Sequence, residues 1–172
     1  MKFRTYGPFK MPRAGGDIDD EKKHYFWKLI ESKHPSLSNA VGCYIFVLKA
    51  AKGYKPWYVG KTDKASFAHE TWNDRNLRNY GRIVREHKGL PMLFLIAKLT
   101  PSDRFQKPTT RKGAGSITAL EKMLIASCFQ RNNLLLNKKS IKYHTMQVPG
   151  YLNESPGART KEAKALAQLL KT

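Results

Sequence analysis

Residues 41–61 read VGCYIFVLKAAKGYKPWYVGK and carry the clearest structural pattern in this chain of 172 residues. The first eight are apolar or aromatic apart from one glycine, which is typical of a strand buried on both faces. Three lysines, a glycine and a proline over residues 49–56 predict a turn. A short aromatic run follows and ends in glycine. The stretch therefore predicts a β-hairpin with a tyrosine near a glycine on each arm, Tyr44 near Gly42 and Tyr58 near Gly60.

Charge sets the chain apart from an average soluble protein. It has 32 Lys and Arg against 13 Asp and Glu, a formal net charge of +19, and 41% hydrophobic residues, enough for the core of one domain. So basic a domain usually binds a polyanion, and nucleic acid, with DNA first, is the expected partner. No stretch approaches the roughly 18 apolar residues of a membrane span, so no membrane partner is expected.

The two cysteines, Cys43 and Cys128, lie in apolar runs. Their surroundings predict buried thiols in a reducing compartment and not a disulfide. We therefore expect a cytoplasmic protein that works together with nucleic acid. The sequence leaves its oligomeric state open.

The units Gly42-Cys43-Tyr44 and Tyr58-Val59-Gly60-Lys61, with thirteen residues between the two triplets, resemble the paired signature of the GIY-YIG nuclease superfamily. That superfamily includes excision-repair nucleases, homing endonucleases and restriction enzymes. The resemblance covers residues 41–139. It implies a small α/β (α+β) domain with a three-stranded mixed or antiparallel sheet flanked by helices.

The segments before and after this core are expected to be additions to it. Residues 1–40 predict a basic arm and a helix, and residues 140–172 an irregular segment and a C-terminal helix packed on the core. Within the core, residues 92–99 predict a third strand, and residues 100–115 a long polar loop. Helical patterns cover residues 19–33, 72–87, 116–131 and 160–170.

Glu121 is the most informative single residue outside the hairpin. On a helical wheel it falls within the apolar face formed by Ile117, Leu124 and Cys128. An unpaired buried carboxylate is costly, so Glu121 should face a cleft or have a partner. One alternative is a capping box, in which Glu121 bonds back to the amide of Thr118. The resemblance implies instead that Glu121 is the only protein ligand of a divalent metal, Mg²⁺ or Mn²⁺.

The resemblance also implies roles for residues of the hairpin. One of Tyr44 and Tyr58 would take a proton from the attacking water and the other would orient the reactants, and the sequence leaves open which does which. Lys61, directly after the second triplet, would stabilise phosphate charge. Asn137 would bond the second tyrosine or the backbone, although it could equally be an ordinary turn asparagine.

An arginine is missing where the family often has one, about two helical turns after the second triplet. Residues 64–70 read KASFAHE and contain no arginine. Arg75 is the first candidate to replace it and Arg78 the second, and His69 could supply a titratable group instead. The departure puts in doubt which cation stabilises the transition state.

Basic residues beyond these are candidates for contact with nucleic acid. Arg75, Arg78, Arg82 and Arg85 recur at helical spacing and predict a basic stripe, although a solvated helix face is the ordinary alternative. The predicted nucleic-acid contacts are Arg78, Arg82, Arg111, Lys112, Lys138 and Lys139.

The sequence therefore predicts a metal-dependent endonuclease that hydrolyses phosphodiester bonds, with Tyr44, Tyr58, Lys61, Arg75, Glu121 and Asn137 at its site. The first alternative is a catalytically inactive nucleic-acid-binding protein on the same scaffold. The second is a basic RNA- or ribosome-associated protein unrelated to the family, which would be favoured if the tyrosines and Glu121 lay far apart. Strand preference, base preference and biological pathway stay open.

Overall fold

The computed structural model describes residues 1–13, 18–51, 53–109, 115–138 and 160–169. This part of the chain forms an α+β fold with one four-stranded antiparallel sheet and five helices. The strands are β1 (Lys2–Lys10), β2 (Gly42–Ala50), β3 (Gly53–Thr62) and β4 (Leu90–Leu99), in the order β1-β4-β2-β3. The helices are α1 (Asp20–Lys33), α2 (Phe67–Thr71), α3 (Asp74–Glu86), α4 (Gly115–Arg131) and α5 (Lys161–Leu169).

The predicted hairpin is confirmed, and its strands are longer than predicted. β2 and β3 pair from Gly42 opposite Thr62 to Ala50 opposite Gly53, so the chain turns within the predicted range 49–56, but the turn is shorter than predicted. This end of the hairpin extends past the core, and polar side chains can occupy strand positions there because they face solvent. A bulge leaves Trp57 as an extra residue on β3.

The prediction of three strands is wrong, because residues 2–10 form a fourth strand where we predicted a basic arm. β1 pairs with β4 along the edge of the sheet. Gly7 and Pro8 interrupt the alternation that would have indicated a strand, and the register shifts between Tyr6 and Phe9 to accommodate them. An edge strand tolerates proline because one side of it needs no backbone donors.

Both faces of the sheet are covered, and β2 shows how. Cys43 and Ile45 face α4, which packs on β2 and β3, whereas Tyr44 and Phe46 join a larger core formed with α1, α2 and α3. This alternation confirms a strand buried on both faces. Because β3 is an edge strand, side chains from the helices on the two faces can meet beside it.

The helices mostly follow the sequence pattern. The helix predicted over residues 72–87 is confirmed as α3, which begins at Asp74 because Asn73 caps its start, and the separate short helix α2 precedes it. In α5, Ala163 is buried. The irregular segment that was predicted, from residue 140, to precede the C-terminal helix lies outside the described residues.

No helix in the described ranges combines the length and the apolar character that crossing a membrane requires. Cys43 and Cys128 are both buried and free, as predicted.

Candidate active site

The hairpin brings Tyr44 and Tyr58 onto the same face of the sheet. Tyr44 lies opposite Gly60 on β3, and the two tyrosine rings are 6.2 Å apart between centroids. The ring of Tyr44 occupies the space over Gly60, where a Cβ atom would lie 2.2 Å from the Tyr44 Cζ atom. Any side chain at position 60 would displace this ring, so Gly60 is needed for the position of Tyr44.

The Tyr44 hydroxyl is fixed by Asn76 on α3, a residue that the sequence analysis missed. The Asn76 amide nitrogen donates to the Tyr44 oxygen at 2.8 Å and to the Glu70 carbonyl at 2.6 Å. Burial raises the pKa of Tyr44 far above its usual range. Tyr44 is therefore a neutral phenol, and since its oxygen accepts from Asn76, its own proton is directed elsewhere. The sequence pattern that could have indicated Asn76 is its spacing. It lies four residues before Tyr80 and eight before Val84, so it shares the buried face of α3 with them.

Tyr58 has a different neighbour, the guanidinium of Arg75. An Arg75 terminal nitrogen lies 3.5 Å from the Tyr58 oxygen, to which it donates. Arg75 reaches this place from the first turn of α3, although no arginine occupies residues 64–70. Arg75, the first candidate for the missing arginine, therefore lies beside Tyr58, the tyrosine of the second triplet.

Glu121 approaches the tyrosines from α4. This helix begins at Gly115, so Thr118 lies inside it and the alternative of a capping box is wrong. The half-buried carboxyl has its pKa raised by burial, and the positive charges of Lys61 and Arg75 oppose that rise. Among the described residues, no hydrogen bond or ion pair engages this carboxylate, so its oxygens can accept a cation.

Two neighbouring clefts contain these groups. The tyrosine cleft, of about 330 Å³, is lined by both tyrosines and by Lys61, Thr62, Asp63, Lys64, Ala65, Glu70, Arg75 and Glu121. The asparagine cleft, of about 430 Å³, is lined by Tyr58, Arg75, Asn79, Glu121, Lys122, Ile125, Leu136, Asn137 and Lys138. Tyr58, Arg75 and Glu121 line both clefts and stand where they meet. All six residues predicted for the site therefore line one groove.

The tyrosine cleft is suited to a single-carboxylate metal site. The described part of the chain holds no cluster of three or more His, Cys, Asp or Glu side chains that could bind a metal. Magnesium often has only one or two protein carboxylates, its other ligands being water and phosphate oxygens. Asp63 also lines the cleft, with its carboxylate 3.6 Å from the Lys61 nitrogen. Glu70 lines it too, and its carboxylate accepts a hydrogen bond from the Asn73 side chain at 3.1 Å. Among the described residues, Glu121 is thus the carboxylate of this cleft that forms neither an ion pair nor a hydrogen bond, and it is the one that fits Mg²⁺ or Mn²⁺.

Asn137 bonds the backbone, which was one of the two roles expected for it. Its side-chain oxygen accepts from the Val59 amide at 3.2 Å, and its nitrogen donates to the Val59 carbonyl. The adjacent Leu136 amide donates to the Trp57 carbonyl at 2.9 Å. The segment after α4 is thus attached to the edge strand β3 on either side of Tyr58, and it shields that edge.

We expect Asn137→Ala to lower the free energy of unfolding by about 1–3 kcal/mol, because two backbone groups of β3 would lose their partners. Urea denaturation followed by circular dichroism measures the change. Asn133→Ala is the matched control, since Asn133 is exposed after the same helix. Equal stability of the two variants would show that Asn137 does not hold this segment on β3.

The other basic residues predicted to contact nucleic acid are dispersed. Arg78 lines a separate cleft of about 600 Å³ between α1 and α3, and Arg82 forms an ion pair with Glu86 at 3.1 Å. Lys138 lines the asparagine cleft. Arg111, Lys112 and Lys139 lie outside the described residues.

Tyr44, Tyr58 and Glu121 line the same cleft. The alternative of an unrelated basic RNA- or ribosome-associated protein would be favoured if these residues lay far apart, and they do not. The tyrosine cleft alone brings together two phenols, the three carboxylates of Asp63, Glu70 and Glu121, and the three cations of Lys61, Lys64 and Arg75, a combination suited to binding and polarising a phosphate ester. Comparisons with protein-family models, with curated proteins and with solved structures found no match for this chain.

Proposed function

We propose that this protein is a metal-dependent endonuclease of the GIY-YIG type that hydrolyses phosphodiester bonds in nucleic acid, with DNA as the first candidate substrate. One observation carries the proposal: Tyr58, Arg75 and Glu121 meet between two clefts, with Tyr44 and Lys61 beside them. The net charge of +19 supports a polyanionic substrate. Such a substrate would place a phosphate in the groove where the cations and the carboxylate converge.

Glu121 is the residue that would hold the metal ion. When bound, Mg²⁺ or Mn²⁺ supplies Lewis-acid stabilisation of the charge that develops on phosphate oxygens. Lys61 and Arg75 add fixed positive charge to the same cleft and would bind the nonbridging oxygens of the phosphate. The positive charges of the metal ion, Lys61 and Arg75 would let the groove bind an anion although it also contains carboxylates.

The contacts of the two tyrosines suggest a division of roles between them. The positive charge of Arg75 lies next to any negative charge that develops on the Tyr58 oxygen, so we assign Tyr58 to taking the proton from the attacking water. Tyr44 has a strongly raised pKa and accepts a bond from Asn76, so we assign it to donating a hydrogen bond that orients water or phosphate. Asn76 is then a positioning residue.

The test compares two arginines on one helix. We expect Arg75→Gln to lower the rate of cleavage of labelled DNA in Mg²⁺ or Mn²⁺ by roughly 10²-fold, because it removes a cation that stabilises the transition state. Arg78→Gln is the matched control, since it removes the same charge from α3 but faces a different cleft. Rates at saturating protein, with affinities measured in parallel by fluorescence polarisation, separate chemistry from binding.

A catalytically inactive binding protein would behave differently. It would bind DNA and RNA without cutting either in any metal, and the two arginine variants would differ only in affinity. Cleavage by Arg75→Gln at the rate of Arg78→Gln would show that Arg75 has no part in the chemistry.

A further inference from the structure

A third cavity adjoins the tyrosine cleft, with which it shares two lining residues, and it shares none with the asparagine cleft. This lysine pocket, of about 630 Å³, is lined by Ser36, Asn39, Ser66, His69, Lys107 and Pro108 together with Lys64 and Ala65. Lys64 and Ala65 also line the tyrosine cleft. The asparagine cleft, the tyrosine cleft and the lysine pocket therefore follow one another along the surface, with Tyr58, Arg75 and Glu121 between the first two.

Backbone hydrogen bonds hold the walls of the lysine pocket together. The Thr109 amide donates to the Asp63 carbonyl at 3.2 Å, which joins the segment carrying Lys107 to the loop carrying Lys64. The Ala68 amide donates to the Ser38 carbonyl at 3.0 Å, which joins the start of α2 to the segment after α1. Three segments that are distant in sequence thus form the pocket, and their arrangement is preorganised for a ligand.

The side chains of the pocket are suited to an anion. Lys64, His69 and Lys107 are exposed there, and none of the residues lining the pocket is acidic. Within the described ranges neither lysine forms an ion pair, so both ammonium groups can bind a ligand. Ser66 and Asn39 add a hydroxyl and an amide that can donate hydrogen bonds. The tyrosine cleft, by contrast, contains Asp63, Glu70 and Glu121.

We propose that the lysine pocket binds a backbone phosphate of the nucleic-acid strand, beyond the phosphate that is cleaved and on the side away from Asn137. This inference rests on the proposed function for its substrate, and it adds a path: the strand runs from Lys138 past Tyr58 and Arg75 to Lys64 and Lys107. The strand must extend past the cleaved bond in that direction to use the pocket. Substrates that end at the cleaved phosphate lose this contact.

The first experiment measures binding without chemistry. For single-stranded DNA in EDTA, the double variant Lys64→Gln/Lys107→Gln is expected to bind about tenfold more weakly than wild type. The slope of log K against log salt should be less steep by about 0.7, the change for one phosphate contact on a single strand. The control variant, Lys28→Gln/Lys33→Gln, removes two exposed lysines of α1 and the same charge. Equal losses in the two double variants would overturn the proposal.

The second experiment locates the phosphate. Single methylphosphonate substitutions, each of which removes one phosphate charge, are placed along a labelled strand and the cleavage pattern is mapped. The wild-type protein should cut poorly at the bond that lies a fixed number of nucleotides from the substitution, always on the same side of it. The Lys64→Gln/Lys107→Gln variant should show no such fixed offset. An offset unchanged in the variant would contradict the assignment.

The outcomes separate the subsite from the activity. Absence of metal-dependent cleavage would remove the proposed function, while the salt slopes would still test phosphate binding by the pocket. Saturable binding of inorganic phosphate alone, followed on the His69 ring signals by nuclear magnetic resonance, with no difference in salt slope, would assign the pocket to free phosphate and overturn the proposal.

Discussion

Glu121→Gln is expected to lower the rate of metal-dependent cleavage by about 10³-fold or more while leaving nucleic-acid binding intact. Glutamine keeps the shape of the side chain but removes the negative charge that would hold Mg²⁺ or Mn²⁺, and metal stabilisation of a phosphoryl transition state is worth several kcal/mol. Binding should persist because Lys61 and Arg75 still line the cleft. Removing a carboxylate near a polyanion also removes a repulsion between like charges, which favours binding.

Glu86→Gln is the matched control for this experiment. Glu86 is an exposed residue at the end of α3 that pairs with Arg82, and it does not line the groove. Its substitution should leave the cleavage rate within about twofold of wild type, because exposed ion pairs contribute little. Circular dichroism of both variants excludes a loss of fold. Cleavage by Glu121→Gln at the wild-type rate would show that Glu121 is not the metal ligand.

Gly42→Ala is expected to lower the free energy of unfolding by about 4 kcal/mol, a large share of the roughly 5–15 kcal/mol that stabilises a typical domain. Gly42 has a φ angle of +155°, and a Cβ atom there would lie 2.0 Å from the carbonyl oxygen of Ile96 on β4. The carbonyl belongs to the backbone of a paired strand and cannot move aside without breaking the sheet. The first glycine of the paired signature therefore serves the pairing of β2 with β4.

Gly115→Ala is the control for this glycine, because nothing lies within 4 Å of a Cβ atom at position 115 and the residue is helical. It should be neutral or slightly stabilising, since alanine favours a helix. Urea denaturation of both variants measures the difference. A Gly42→Ala protein as stable as Gly115→Ala would mean that β2 and β4 do not pair at this position as described.

The hairpin was predictable because its signals are local. A continuous apolar run, a turn composition and a glycine near each tyrosine fixed both strands of the pair and the face shared by Tyr44 and Tyr58. The position of Glu121 in a cleft was predictable because a carboxylate within an apolar helical face is costly to bury without a partner. The backbone contact of Asn137 could be stated only as one of two roles, since it depends on how the chain after α4 returns to β3.

Features made by contacts between distant segments were not predictable from local patterns. The strand β1 carries Gly7 and Pro8, which are typical of a loop, and only its pairing with β4 makes it a strand. Arg75 reaches Tyr58 only because α3 packs beside β3, so counting residues from the second triplet could not settle which arginine enters the groove. The lysine pocket likewise joins three separate segments of the chain.

The most direct test is cleavage by the wild-type protein, freed of metal and then supplied with Mg²⁺ or Mn²⁺. End-labelled single- and double-stranded DNA and matched RNA are incubated with and without EDTA, and products are resolved on a sequencing gel. We predict internal strand breaks that require the metal and disappear in EDTA. Tight, salt-sensitive binding with no breaks in any substrate or metal would contradict the assignment of the groove to phosphodiester hydrolysis.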